Sequence, residues 1–164
     1  LFRGFSVLPW SFERILNFAA LEDPFANKQN SCFLLYCLCF VSLLALSGAH
    51  LDAIYYCPHL SREEGGAVAP YDIACNCRKP GTGLVEQAYL EHPQLSRQLA
   101  FVVGDKATDV ELAANCNVKG VLVETGFGKD VQSGAYQWPV KPDFQACSIV
   151  EAAEWILASI SKLN

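Results

Sequence analysis

A chain of 164 residues is long enough for one domain with a sizeable core and too short for two comfortable ones. With 52% hydrophobic and 18% charged residues it is globular rather than disordered, and a net charge of −5 argues against a nucleic-acid-binding surface. Eight cysteines would suit a disulfide framework, but the opening Leu1-Phe2-Arg3-Gly4 does not read as a secretory signal, so reduced thiols and a cytoplasmic setting are the expectation.

Residues 1–50 form a segment apart. An aromatic-rich opening leads into a helix around Phe12–Leu21, and a polar loop follows over Glu22–Ser31. Cys32–Leu46 is almost wholly apolar, yet its 15 residues fall short of the roughly 20 that span a bilayer. A buried helix, or a stretch foreign to the fold, is therefore favoured over a membrane anchor. Cys37 and Cys39 inside it read as core thiols rather than ligands. The sequence neither begins with Met nor contains one, which fits a chain whose beginning is missing.

From Leu51 to Asn164 the pattern becomes regular. Ala53–Tyr56 reads as a short buried strand leading into a polar loop, Cys57–Pro80. A helix begins at Leu84–Leu90, with Leu84, Val85, Ala88 and Tyr89 inward. Leu99–Val103 is a continuous apolar run ended by Gly104-Asp105, the mark of a parallel strand buried on both faces. Thr108–Cys116 follows as a helix with Val110, Ala113 and Ala114 buried, and Gly120–Val123 is a second buried strand. A Gly- and Pro-rich loop extends to about Asp143. The last helix opens at Ser148 with capping-box spacing to Glu151 and turns Ile149, Ala153, Ile156 and Ile160 inward. Alternating strands and helices predict an α/β layer with a parallel sheet, whose chemistry belongs at the carboxyl ends of the strands.

Two constellations carry chemistry. Cys57-x-His59 and Cys75-x-Cys77 are ligand pairs at i and i+2, so in an extended backbone each pair projects both side chains to one side. Four soft or borderline donors in this arrangement suit a closed, structural tetrahedral Zn²⁺ site. The second is Gly104-Asp105-Lys106-Ala107-Thr108-Asp109. Asp105 at a strand end is a hard ligand suited to Mg²⁺, and Lys106 can neutralise a phosphate oxygen. Asp109, one turn further on, could support the metal; equally, Asp105 could cap the next helix and Asp109 sit favourably in its first turn. Arg78-Lys79, presented by the loop, would complete a phosphate site. Cys116 and Cys147 read as buried and inert.

These residues carry a resemblance. Asp52–His59, Cys75–Pro80, Val103–Asp109 and Gly120–Gly128 are similar to the haloacid dehalogenase (HAD) phosphatases of the D-glycero-D-manno-heptose 1,7-bisphosphate 7-phosphatase group, with histidinol-phosphate phosphatases as near relatives. The resemblance implies a HAD-like Rossmannoid three-layer sandwich with a parallel sheet, incomplete at the N-terminus, over residues 51–164. It implies phosphoryl transfer through an aspartyl-phosphate, with Mg²⁺ bridging nucleophile and phosphate. By matching motif, Cys57, His59, Cys75 and Cys77 bind structural zinc, Arg78 recognises substrate, and Lys79 stabilises the phosphoryl group. Asp105 ligates Mg²⁺, Lys106 touches substrate, and Asp109 is a supporting acid. The expected partner is a small sugar phosphate, with no nucleic acid, no membrane and a monomeric state.

The nucleophile is where the chain departs from that family. An Asp-x-Asp-Gly motif should follow a first strand, but Asp23, Asp52, Asp72, Asp105, Asp109, Asp130 and Asp143 include no two that stand two apart. Arg3–Ser6 resembles a segment lying just beyond the family's second motif. The expected function is hydrolysis of the 7-phosphate of the heptose bisphosphate; histidinol phosphate is the alternative substrate. An inactive zinc-binding fragment is the alternative of a different class.

Overall fold

The apolar runs around Phe101 and Val121 become the two leading strands of a parallel sheet. In the computed structural model, which describes residues 39–49, 51–134 and 141–162, strand β1 (Phe101–Gly104) pairs with β2 (Lys119–Val123), and β2 with β3 (Phe144–Ala146). The order is β1-β2-β3, in a register that sets Val103 opposite Val121 and Val121 opposite Phe144. The connecting helices are α1 (Gly83–Glu91) before the sheet, α2 (Ala107–Asn115), α3 (Gly128–Gln132) and α4 (Ile149–Ser161). Residues 39–46 are also helical, but this part of the apolar run is not a buried helix: Leu43 and Leu46 are exposed, and so is Cys39, expected as a core thiol.

The two-residue repeat of a strand sorts the core into layers. Phe101, Val121, Val123 and Ala146 pack on one face with Ala152 and Ile156 of α4. Val102 packs on the other with Val85 of α1, Leu112 and Ala113 of α2 and Cys116 just after it, while Leu122 meets Val110 and Val131. Helices therefore cover both faces, giving the expected three layers. Each large side chain buried this way stabilises the fold by about 1.5–3 kcal/mol. Leu122, Val110 and Val121 are the largest that are fully buried.

Several elements differ from expectation. Ala53–Tyr56 is not a strand: Ile54 and Tyr56 are exposed, and the segment is anchored by the Tyr55 hydroxyl, which donates to Glu91 Oε2 of α1 at 2.5 Å. The run before β1 starts with a 3₁₀ turn, Arg97–Leu99. The stretch leading to Asp143 holds α3, and β3 follows at once, both short enough to leave no periodicity. In α2 it is Leu112 rather than Ala114 that is buried. The face of α4 is turned by one position: Ala152 and Ile156 are buried, whereas Ile149 and Ala153 are exposed. Trp155 sets that phase by stacking on Phe144 at 4.9 Å and meeting Phe101 edge-on at 5.9 Å. Ser148 does cap α4, accepting the Glu151 N–H at 3.3 Å, while Glu151 Oε2 accepts the N–H of Cys147 at 2.7 Å. Cys116 is buried as expected; Cys147 is exposed.

The helix expected at Phe12–Leu21 and the start of the apolar run lie outside the described residues. Among the described residues no helix is long and apolar enough to cross a membrane. His50 is likewise outside them.

Candidate metal centre and phosphate site

The loop from Cys57 to Pro80 has little regular structure of its own, only a 3₁₀ turn at Arg62–Glu64. Backbone bonds fold it back on itself, with the Leu60 N–H donating to Tyr71 O at 2.9 Å, and the Arg62 Nε–Asp72 Oδ2 pair at 2.5 Å clasps its two arms. This brings the two ligand pairs together. Cys77 Sγ lies 3.0 Å from Cys75 Sγ and 3.1 Å from Cys57 Sγ, and Cys57 and Cys75 are 3.4 Å apart. His59 Nδ1 is 3.2 Å from Cys77 Sγ and 3.7 Å from Cys57 Sγ.

These spacings exclude disulfides, which need about 2.05 Å between sulfurs. A tetrahedral ion with metal–sulfur bonds of about 2.3 Å has sulfur–sulfur edges near 3.8 Å, so the cluster is a contracted version of that shape. All four donor atoms lie within 4.8 Å of one another, and the set could hold a metal ion. The thiol electrostatics point the same way. Burial pushes Cys57 up, and burial with hydrogen bonding to Cys75 and Cys57 pushes Cys77 up to about 12. Burial also opposes ionisation of Cys75, but hydrogen bonds from Cys77 and Cys57 outweigh it and hold that thiol low. Thiols crowded this closely cannot all ionise without a cation between them.

The residues just after the cluster pin the loop to the sheet. Asn115 at the end of α2 donates its Nδ2–H to Pro80 O at 3.0 Å, and the Gly83 N–H donates to Asn76 O at 2.8 Å. Lys79 is carried to the carboxyl end of β1, where its Nζ meets Asp109 Oδ1 at 2.6 Å. Both side chains are nearly buried, at 10% and 5% exposure, so each charge depends on the other. Asp109 Oδ2 accepts the Lys106 N–H at 2.9 Å, which caps α2. Gly104 is needed there, since a Cβ would run into the Asp109 carboxyl group.

Asp105 is used differently. Its Oδ2 accepts the Phe127 N–H at 3.0 Å, which joins the end of β1 to the turn after β2. Gly126, at φ +66°, permits this approach, because a Cβ there would fall into the Asp105 carboxylate. Lys106 Nζ lies 5.4 Å from the Phe127 ring centroid. Arg78 donates from Nη1 to His59 O at 3.2 Å and sits with Nε 3.5 Å from Glu64 Oε2.

The residues singled out by sequence thus fall into two linked groups. Cys57, His59, Cys75 and Cys77 form one; Lys79, Lys106, Asp109 and Asp105 gather around the end of β1; Arg78, between Cys77 and Lys79 in the chain, contacts His59 O and Glu64 in the loop. Sequence reasoning missed Glu64, and it took Phe127 only as part of the Gly120–Gly128 motif, without its bond to Asp105, because both partners are remote in the chain. It also passed over Thr108, whose Oγ1 is buried with no hydrogen-bond partner among the described residues. An orphaned hydroxyl in the first turn of α2, one residue before Asp109 in the chain, is a polar group that a bound partner could satisfy.

The described residues thus combine a parallel sheet with helices on both faces, a strand-end Gly-Asp and a lysine paired to the next acid. The HAD-hydrolase-like family model matches residues 76–152 of the chain. The chain is similar to heptose bisphosphate phosphatases. It is 48% identical over 119 residues to D-glycero-D-manno-heptose-1,7-bisphosphate 7-phosphatase of Thermosynechococcus vestitus (strain NIES-2133 / IAM M-273 / BP-1), covering 73% of this chain and 60% of that protein. It is 38% identical over 122 residues to the D-glycero-beta-D-manno-heptose-1,7-bisphosphate 7-phosphatase of Yersinia pestis, covering 73% and 54%. The crystal structure of D,D-heptose 1.7-bisphosphate phosphatase from B. bronchiseptica, complexed with magnesium and phosphate, superposes with a TM-score of 0.64 at 25% identity over 79% of this chain and 65% of that one. The chain therefore spans 54–60% of the length of these two curated relatives.

Proposed function

We propose that the chain carries the metal and phosphate half of a phosphatase acting on a sugar phosphate monoester, the 7-phosphate of D-glycero-D-manno-heptose 1,7-bisphosphate. The observation that carries this is the Lys79–Asp109 pair at the end of β1, set beside Asp105 and anchored to a four-donor cluster. Lys79 meets the phosphoryl oxygens, Arg78 and Lys106 contact substrate, and Asp105 holds Mg²⁺ with Asp109 in support. Mg²⁺ would supply charge neutralisation on the phosphoryl group as it transfers. Zn²⁺, the ion best matched to three sulfurs and one imidazole, is a structural element of the loop. Free thiols among the described cysteines suit a reducing, cytoplasmic setting, and the enzyme acts as a monomer.

Asp109 is the least free of these groups. Its two oxygens serve Lys79 and the Lys106 N–H, so its part is to hold Lys79 rather than to give a full bond to the metal. A second reading is a non-catalytic phosphate-binding protein, favoured by the lack of any Asp-x-Asp pair in the 164 residues. Phosphate release from the heptose bisphosphate with Mg²⁺, measured beside histidinol phosphate, separates these. Release that disappears in Asp105→Ala supports the hydrolase, and binding without release supports the second reading. Faster release from histidinol phosphate would overturn the substrate, and no binding of either compound would overturn both readings.

A further inference from the structure

The loop between the two ligand pairs contains an arrangement that metal binding does not require. Ser61, 8% exposed, closes the 3₁₀ turn Arg62–Glu64. Its Oγ accepts the Glu64 N–H at 3.3 Å and donates to Glu64 Oε2 at 3.1 Å. The turn thereby folds the Glu64 side chain back over the loop, and the same Oε2 stands 3.5 Å from Arg78 Nε. The other end of that guanidinium is fixed by His59, whose carbonyl accepts from Nη1 at 3.2 Å. Glu64 is 54% exposed and Arg78 only 23%.

We propose that Glu64 is a positioning residue, held by Ser61, which orients the Arg78 guanidinium for a phosphate-bearing ligand. The inference rests on the phosphate role given to Arg78 above. A partly exposed ion pair at 3.5 Å adds little to stability, so fold stabilisation alone does not account for the arrangement. Arginine recognises phosphate through a planar fork, and a fork already oriented loses less freedom when the ligand arrives. The carboxylate is itself held at Ser61, so pairing with Arg78 orders few additional bonds.

The sign of the effect makes the idea testable. A negative carboxylate beside the guanidinium repels a phosphate, so charge alone predicts that Glu64→Gln tightens binding. Orientation predicts the opposite. Titration calorimetry of the full chain, loaded with zinc, with inorganic phosphate and Mg²⁺ would compare the unsubstituted protein, Glu64→Gln, Arg78→Ala and the double variant. We expect Glu64→Gln to weaken binding by about 3- to 10-fold, and the double variant to be no weaker than Arg78→Ala alone. Equal or tighter binding by Glu64→Gln, or losses that simply multiply in the double variant, would overturn the inference and leave the role of Arg78 intact. Normal binding by Arg78→Ala would overturn the phosphate role and the inference with it, as would a chain that binds no phosphate.

The Arg78 Nε–H resonance gives a readout that needs no ligand. Its solvent exchange should speed up in Glu64→Gln, and an unchanged rate contradicts the pairing. Zinc stoichiometry checks that the loop stays folded. If Glu64→Gln loses zinc, Glu64→Asp is the second variant. It keeps the charge but is one methylene shorter, so it should also weaken phosphate binding, and normal binding by it would contradict orientation.

Discussion

The two halves of the molecule are stabilised by different physics. In the sheet half, from α1 to α4, Val121, Leu122 and Ala152 lie almost wholly out of water and apolar burial supplies the stability. The loop from Cys57 to Pro80 buries only Cys57 and Ser61. It is shaped by a four-donor Cys/His cluster, a clasp between Arg62 and Asp72 and a few turn hydrogen bonds. The loop is the part that delivers Arg78 and Lys79, so the site depends on a region without a core, and the two halves meet at Lys79–Asp109 and Asn115–Pro80.

Metal removal should separate the halves most sharply. A structural zinc site contributes on the order of 10 kcal/mol to the folding of what it ties. Chelation, or Cys77→Ser, is expected to abolish amide exchange protection across 57–80 while β1, β2 and α4 keep theirs. Loss of protection in the sheet at the same rate would show that the halves are one unit.

The reciprocal change is next in size. Lys79→Ala strands the nearly buried Asp109 carboxylate at the junction and should cost about 3–5 kcal/mol, read as a fall in denaturation midpoint. Adding Asp109→Asn should recover part of that loss. Leu122→Ala, at 2% exposure, should cost about 3 kcal/mol through cavity formation and leave metal stoichiometry unchanged. The smallest effect is expected at Ser148→Ala, about 1 kcal/mol from loss of the α4 cap, with no change in the loop.

The same contrast governs how much of the fold and the site is legible in the amino-acid sequence. The ligand pairs were legible because i and i+2 spacing is a local property. β1, α2 and β2 were legible because their apolar runs end at Gly104-Asp105 and Thr125-Gly126. β3 was not: three residues with Gln145 exposed carry no pattern, and the strand exists because Phe144 and Ala146 pair with β2. The apolar Ala53–Tyr56 misled, since no neighbouring strand takes it up among the described residues. Trp155, not the helical repeat alone, set the inward face of α4. Within the site, the identities of Lys79 and Asp109 were readable, but their contact spans 30 residues of chain. The reach of Glu64 to Arg78 was equally invisible, because it depends on how the Ser61 turn folds back.

X-ray absorption at the zinc edge of the purified chain tests the central claim, that a metal-tied loop presents the basic residues to the end of β1. The expected result is one zinc per chain with three sulfur neighbours at about 2.3 Å and one nitrogen at about 2.0–2.1 Å. A chain without zinc, or with an oxygen-dominated shell, would contradict it.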